Sequence, residues 1–185
     1  MALSATGGGG ERLIWYGDDV NDPDAPLDAR YGGVDAAVLR ESMESEGAVI
    51  MGRTTFDVSI EAWGEEPPIH KPCFVLTTRA APPMRCPGGT TFTFVTEGPE
   101  RALHLARAAA GGRDVGVMGG ARTVRTYLAL GLLDELRIHL VPTLMGRGLR
   151  LFGEEEDAVG GIGLQRLQVR DGERATHMVF RPVLP

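Results

Sequence analysis

Three segments of this 185-residue chain combine small, hydroxyl and guanidinium side chains in one layout. They are Met51-Gly52-Arg53-Thr54-Thr55, Leu76-Thr77-Thr78-Arg79 and Met118-Gly119-Gly120-Ala121-Arg122-Thr123. Each follows an apolar run that reads as a buried strand. Glycine allows close backbone approach, a following helix offers unpaired N–H groups, and hydroxyls and guanidinium complete an anion shell. In an open α/β sheet ligands bind outside the carboxyl ends of the strands. Three such ends meeting on one edge would make a polyphosphate site. Taken singly each segment is weak, because strand–glycine–helix turns also occur for steric reasons alone.

Other chemistries find no support. There is no Gly-x-x-x-x-Gly-Lys-Ser/Thr loop, no Gly-x-Gly-x-x-Gly after a strand and no Gly-x-Ser-x-Gly elbow. Cys73 and Cys86 have no ligand spacing, and two isolated thiols suit a reducing cytosol. His70, His104, His139 and His177 are scattered and read as structural. The run Glu154–Asp157 lacks metal-loop spacing and reads as a solvated loop. No metal site is expected.

The elements needed to hold these turns are legible. Residues 34–46 show an amphipathic helical pattern closed by Gly47, and Ala48–Met51 is a short strand of the fully buried type. A helix starts near Arg53. Cys73–Thr77 and Thr91–Val95 are further strands. A helix opens at Gly98-Pro99, with proline in its first turn, and ends at Gly111-Gly112. Val115–Met118 is another buried strand, and the helix after Gly119-Gly120 closes at Gly131. Then Glu135–Val141, Ile162–Arg170 and Arg174–Arg181 alternate, the last two joined at the turn former Asp171-Gly172. Helices alternating with buried strands, followed by antiparallel strands, predict an α/β domain with a mixed sheet. Residues 1–33, rich in glycine, proline and aspartate, read as a loop-rich segment ahead of a domain over 34–185.

Composition agrees. With 43% hydrophobic and 24% charged residues the chain can bury a core. The 26 glycines and 12 prolines form about a fifth of it, against a usual share of about 12%, so many connections are tight turns. A net charge of −6 and pI near 5.2 argue against nucleic acid as the principal partner. Among 19 basic residues only Lys71 is a lysine, which weakens the signal of any single arginine. No apolar run is long enough to span a bilayer, and the start lacks the charged and apolar regions of a secretory signal, so a cytoplasmic protein is expected.

Ala48-Val-Ile-Met-Gly-Arg-Thr-Thr-Phe56, Phe74-Val-Leu-Thr-Thr-Arg79, Val117-Met-Gly-Gly-Ala-Arg-Thr-Val124 and Leu132–Phe152 together resemble the dihydrofolate-reductase-like superfamily. The nearest branch is the one named for the reductase domain of bifunctional riboflavin-biosynthesis enzymes. The resemblance covers 34 to about 181. It implies a three-layer α/β domain with a central mixed, mostly parallel sheet, and an NADPH-dependent reduction of a small heterocyclic or carbonyl-like substrate. By matching position, Gly52, Arg53 and Thr54 would hold the pyrophosphate region. Thr77, Thr78 and Arg79 would face the adenosine ribose and its 2′-phosphate, with Arg79 the first candidate for that charge and Arg53 the second. Gly119, Gly120, Ala121, Arg122 and Thr123 would turn N–H groups to the phosphates; in this family the Gly-Gly bond is often cis. Family precedent implies a homodimer.

Two departures bear on activity. The family's usual first strand, reading roughly Ser-Leu-Asp-Gly-Phe-Ile-Ala, has no counterpart in residues 1–33. A misassigned start, a substitute segment or subunit, and a decayed reductase all stay open; the last would leave a non-catalytic nucleotide-binding or scaffold protein. No residue matches the acid of true dihydrofolate reductases, and that role is not transferred to Asp35 or Glu41. The catalytic residues stay unassigned. Riboflavin synthesis itself is not implied, because the deaminase zinc motifs of the bifunctional enzymes are absent.

Overall fold

The structure is a computed structural model that describes residues 33–144, 146, 150–152 and 161–184. The loop-rich segment expected over 1–33, in which the sequence offers no counterpart of the family's usual first strand, lies outside the described residues but for Gly33, as does the acidic run at 154–157. The chain divides into two compact units, one of Ser42–Thr123 and one of Met1–Glu41 with Val124–Pro185.

The first helix, α1 (Gly33–Ser45), hides Asp35, Ala36 and Val38. It leads into β1 (Glu46–Gly52), of which Gly47–Met51 are buried. Helix α2 (Arg53–Trp63) follows without an intervening loop. Next come β2 (Pro72–Leu76), a two-residue β3 (Met84–Arg85), a 3₁₀ turn (Pro87–Gly89) and β4 (Thr91–Val95). Helix α3 (Pro99–Ala109), β5 (Asp114–Val117) and α4 (Ala121–Ala129) continue the alternation. The sheet order is β3-β4-β2-β1-β5; all pairings are parallel except β3 with β4. The short β3 and the 3₁₀ turn have no periodic signature and were not expected from the sequence.

Period-two alternation puts Val49 and Met51 on one face of β1. They join Cys73, Val75 and Phe92 in a core closed by Phe56 of α2 and Ile69. Each fully buried aliphatic side chain there stabilises by about 1.5–3 kcal/mol. Burial also pushes the Cys73 thiol up to about 12, which makes it a packing group and not a nucleophile. Helix α3 packs on β1, β2 and β5 through its buried Ala102, Leu103 and Ala106. Gly47 permits this: a Cβ there would collide with the Ala110 backbone carbonyl.

In the other unit, β6 (Leu136–Leu140), β7 (Gly163–Asp171) and β8 (Thr176–Val183) form a separate antiparallel sheet, ordered β6-β8-β7. The antiparallel C-terminal strands thus exist but, among the described residues, pair only with each other. The expected two-residue turn at Asp171-Gly172 is instead a loop over 172–175, closed by the Gly172 N–H donating to the Ala175 carbonyl at 2.9 Å. Both strands shift one or two residues to fit it. A bulge lies between Arg166 and Gln168 of β7.

This loop sits on a buried polar chain. Asp35, 3% exposed, accepts the Arg174 N–H at 2.9 Å and pairs with His177 Nε2 at 2.6 Å. His177 Nδ1 lies 2.7 Å from His139 Nδ1. A Cβ on Gly172 would strike Asp35 Oδ1, so glycine lets the carboxylate reach the loop. Burial and the neighbouring His177 lower His139 to about 4. The chain explains two of the scattered histidines as parts of the fold.

Candidate functional site

The strands carrying the three anion-type turns, β2, β1 and β5, are adjacent and parallel. Their carboxyl ends share one edge of the sheet, as the convergence argument requires. Gly52 stands level with Leu76, and the Met118 N–H donates to the Ile50 carbonyl at 2.8 Å, which extends the β1–β5 pairing to the start of the Gly119-Gly120 turn. Chain order runs from β1 outward to β2 and β4, then returns to β5 on the opposite flank of β1. The edge between β1 and β5 is therefore a topological switch point, where such sheets bind ligands.

Two helices begin there. Gly52 is the residue before α2, with φ −78° and ψ 158° and no side-chain cap on the helix. That conformation suits any residue, so its need for glycine is spatial. A Cβ on Gly52 would stand 2.5 Å from Thr123 Oγ1 in the first turn of α4. Gly120 has φ +83°, and a Cβ on it would meet Thr55 Oγ1 at 3.0 Å and Thr123 Oγ1 at 3.3 Å. Two glycines thus let the amino ends of α2 and α4 close on one another, with Thr55 and Thr123 between them. First-turn N–H groups lack intrahelical acceptors, and both helix dipoles favour negative charge here. No cis peptide occurs among the described residues, so the Gly119–Gly120 bond, often cis in the resembled family, is trans here.

The β2 turn is held internally. Thr77 is buried, and its hydroxyl accepts the Arg79 N–H at 3.1 Å. Thr78 and Arg79 are exposed, and Arg122 is exposed in the first turn of α4, whereas Ala121 is half-buried and Thr123 buried. Arg53 lies over two aromatic rings, 5.6 Å from the Phe56 centroid and 5.4 Å from that of Phe94. Its Nε donates to Asp57 Oδ1 at 2.6 Å, and Arg79 Nη2 donates to Asp57 Oδ2 at 3.2 Å. One carboxylate therefore joins the two arginines singled out for a 2′-phosphate. At the end of β4, Glu97 accepts the Thr96 N–H at 2.9 Å, and backbone donors hold its carboxyl below the usual range.

All the sequence-derived cofactor residues lie in the Ser42–Thr123 unit. Asp57, Thr55 and the aromatic bed of Arg53 were not among them. The Arg53-x-x-x-Asp57 spacing is an i,i+4 pair on a helix, a signal that could have found Asp57. The β4 position of Phe94 has no such local signal. Among the described residues no cluster of three His, Cys, Asp or Glu could hold a metal, and no helix is long and apolar enough to cross a membrane.

An α/β fold with glycine turns on one parallel edge belongs to the architectures that take ligands outside the carboxyl ends of their strands. The family is more specific: residues 4–177 match the family described as the RibD C-terminal domain, and the chain belongs to it. It is thereby reductase-like in kind. A 41-residue stretch is 42% identical to the uncharacterized protein YyaP of Bacillus subtilis strain 168, covering 22% of each chain, about a fifth of that curated relative's length. Among solved structures, a putative riboflavin biosynthesis protein from Shewanella sp. PV-4 superposes with TM-score 0.61 at 21% identity, covering 94% of this chain and 87% of that one. A pyrimidine reductase-like protein from Corynebacterium diphtheriae gives 0.57 at 14%, covering 83% of each chain. Acinetobacter baumannii RibD gives 0.55 at 17%, with 83% of this chain over 52% of that longer one. At these identities the structural likeness concerns the fold.

Proposed function

We propose that this chain is an NADPH-dependent reductase of a small heterocyclic or carbonyl-like molecule, working in the cytoplasm as a homodimer. The observation that carries the reading is the meeting of two helix amino ends at Gly52 and Gly120, on the edge where Arg53 and Arg79 also stand. Its donor set fits a dinucleotide: backbone N–H groups and hydroxyls suit a diphosphate, and guanidinium suits a terminal phosphate.

NADPH, when bound, supplies a hydride. Gly52, Thr54 and the Gly119–Thr123 turn would hold its diphosphate, with Arg53 beside them, while Thr77 shapes the turn that presents Thr78 and Arg79 to the ribose 2′-phosphate, for which Arg53, joined to Arg79 through Asp57, is the second cation. A charge-assisted bond from Arg79 is worth about 1.5–3 kcal/mol, or roughly 10- to 150-fold preference over NADH. Orientation and electrostatics are the protein's part. No side chain is assigned as proton donor, and water or the substrate itself serves.

The test is a spectrophotometric screen of the purified protein with NADPH and a panel of small heterocycles and carbonyl compounds. Substrate-dependent loss of the reduced-nicotinamide absorbance is the expected result. A folded protein that binds the cofactor and oxidises it with none of them would point to the non-catalytic binding module instead.

A further inference from the structure

We infer that Asp57 sets the cofactor preference of this edge by competing with the 2′-phosphate for Arg53 and Arg79. The inference rests on the NADPH reading above. It starts from a single carboxylate whose two oxygens are divided between two guanidiniums, at 2.6 Å to Arg53 Nε and 3.2 Å to Arg79 Nη2. Two roles are conceivable for such a group. It could organise the arginines for the phosphate, or it could occupy the positive charge that the phosphate needs.

The structure favours occupation. Arg53 has an independent anchor in the rings of Phe56 and Phe94, so its direction does not hang on Asp57. Arg79 is 66% exposed and Asp57 41% exposed at their side chains. An exposed pair of that kind organises its partner by less than about five-fold in affinity. Against this stands repulsion between the Asp57 charge and a doubly charged phosphate on the same guanidiniums. At about 6 Å in water that amounts to roughly ten-fold before salt screening, and more where the site is drier. The charge count says the same: two arginines and one aspartate leave one net positive charge for a group carrying two negatives. Without Asp57 the two charges would match.

A ribose that carries only hydroxyls faces a different balance. It brings no charge for Asp57 to repel, and a carboxylate is an acceptor for a hydroxyl. Asp57 therefore penalises NADPH selectively and narrows the gap between the two cofactors that Arg79 opens.

The experiment is a calorimetric titration of wild type, Asp57→Asn and Asp57→Ala with NADPH and with NADH, at low and at high salt, on proteins shown to melt cooperatively. Both variants are expected to bind NADPH about 3- to 10-fold more tightly. NADH should stay within about two-fold, and NADPH affinity should fall more steeply with salt than in wild type, because the edge has gained net positive charge. Wild-type binding of NADPH with an unchanged or reduced preference in both variants would overturn the role of Asp57 and leave the reductase reading standing. A folded wild type that binds neither cofactor would overturn that reading, and this inference with it.

Discussion

The Ser42–Thr123 unit and the unit built on β6, β7 and β8 treat polar groups in opposite ways. In the second, Asp35, His177 and His139 are buried, and they satisfy one another and the Arg174 N–H. In the first, donors gather at strand ends: uncapped helix N–H groups, the exposed Arg79, and Arg53 lying on an aromatic bed. A polar network closed on itself holds a fold together. Donors brought to an edge by glycines, with a surplus of positive charge, are arranged for something that arrives from outside. Each unit holds two histidines and charged residues of both signs, so those residue types do not separate the two regions; geometry does.

The contrast can be broken first where it is strongest. Asp35→Ala should destabilise by about 3–5 kcal/mol, since it leaves a buried imidazole and the Arg174 N–H without their acceptor. A thermal melt should show a fall of about 10 °C, with nicotinamide dinucleotide affinity of the remaining folded protein unchanged. Arg79→Ala should do the reverse. It should weaken NADPH by about 1.5–3 kcal/mol with little change for NADH or in the melting temperature, read by parallel titrations and melts. Equal weakening of both cofactors would remove Arg79 from the 2′-phosphate role.

Gly52→Ala sharpens the comparison further, since its Cβ would meet Thr123 Oγ1 at 2.5 Å. It should cost about 1–3 kcal/mol in cofactor affinity by pushing the two helix ends apart. Adding Thr123→Ala removes the obstructing oxygen, and part of the affinity should return in the double variant. The smallest effect concerns pH. The folded His139 titrates near 4 against 6.5 for an ordinary histidine, so between these values the unfolded chain binds more protons. Stability should therefore fall as pH drops through that window, by on the order of 1 kcal/mol after allowing for partial exposure. His139→Gln should flatten that part of a stability–pH curve, whereas the Arg79 variant should leave it as it is.

Much of the first unit was legible because its signals are local. Buried apolar runs such as Ala48–Met51 and Cys73–Leu76 end in glycine or threonine, and each names a strand end without help from the rest of the chain. That β2, β1 and β5 would be parallel strands follows from the alternation of strand and helix, but their lying side by side is set by the crossover that returns the chain from β4 to the far flank of β1. The bridge from Arg53 through Asp57 to Arg79 was harder. Half of it is helical spacing, but the other half joins residues 22 apart through the β1–β2 register. The buried chain in the second unit was illegible for the same reason, with 142 positions separating Asp35 from His177. Nothing near His177 distinguishes a histidine bound to a carboxylate from one in contact with solvent. Local chemistry is written in neighbouring residues, whereas long-range pairing waits on register.

The most direct test of the central claim, that the edge of β2, β1 and β5 is an NADPH site, is a titration of the purified protein with NADPH and, separately, with NADH. It can be followed by calorimetry. The account predicts micromolar binding of NADPH and clearly weaker binding of NADH. Equal affinity for the two, or no binding of either by a protein shown to be folded, would contradict it.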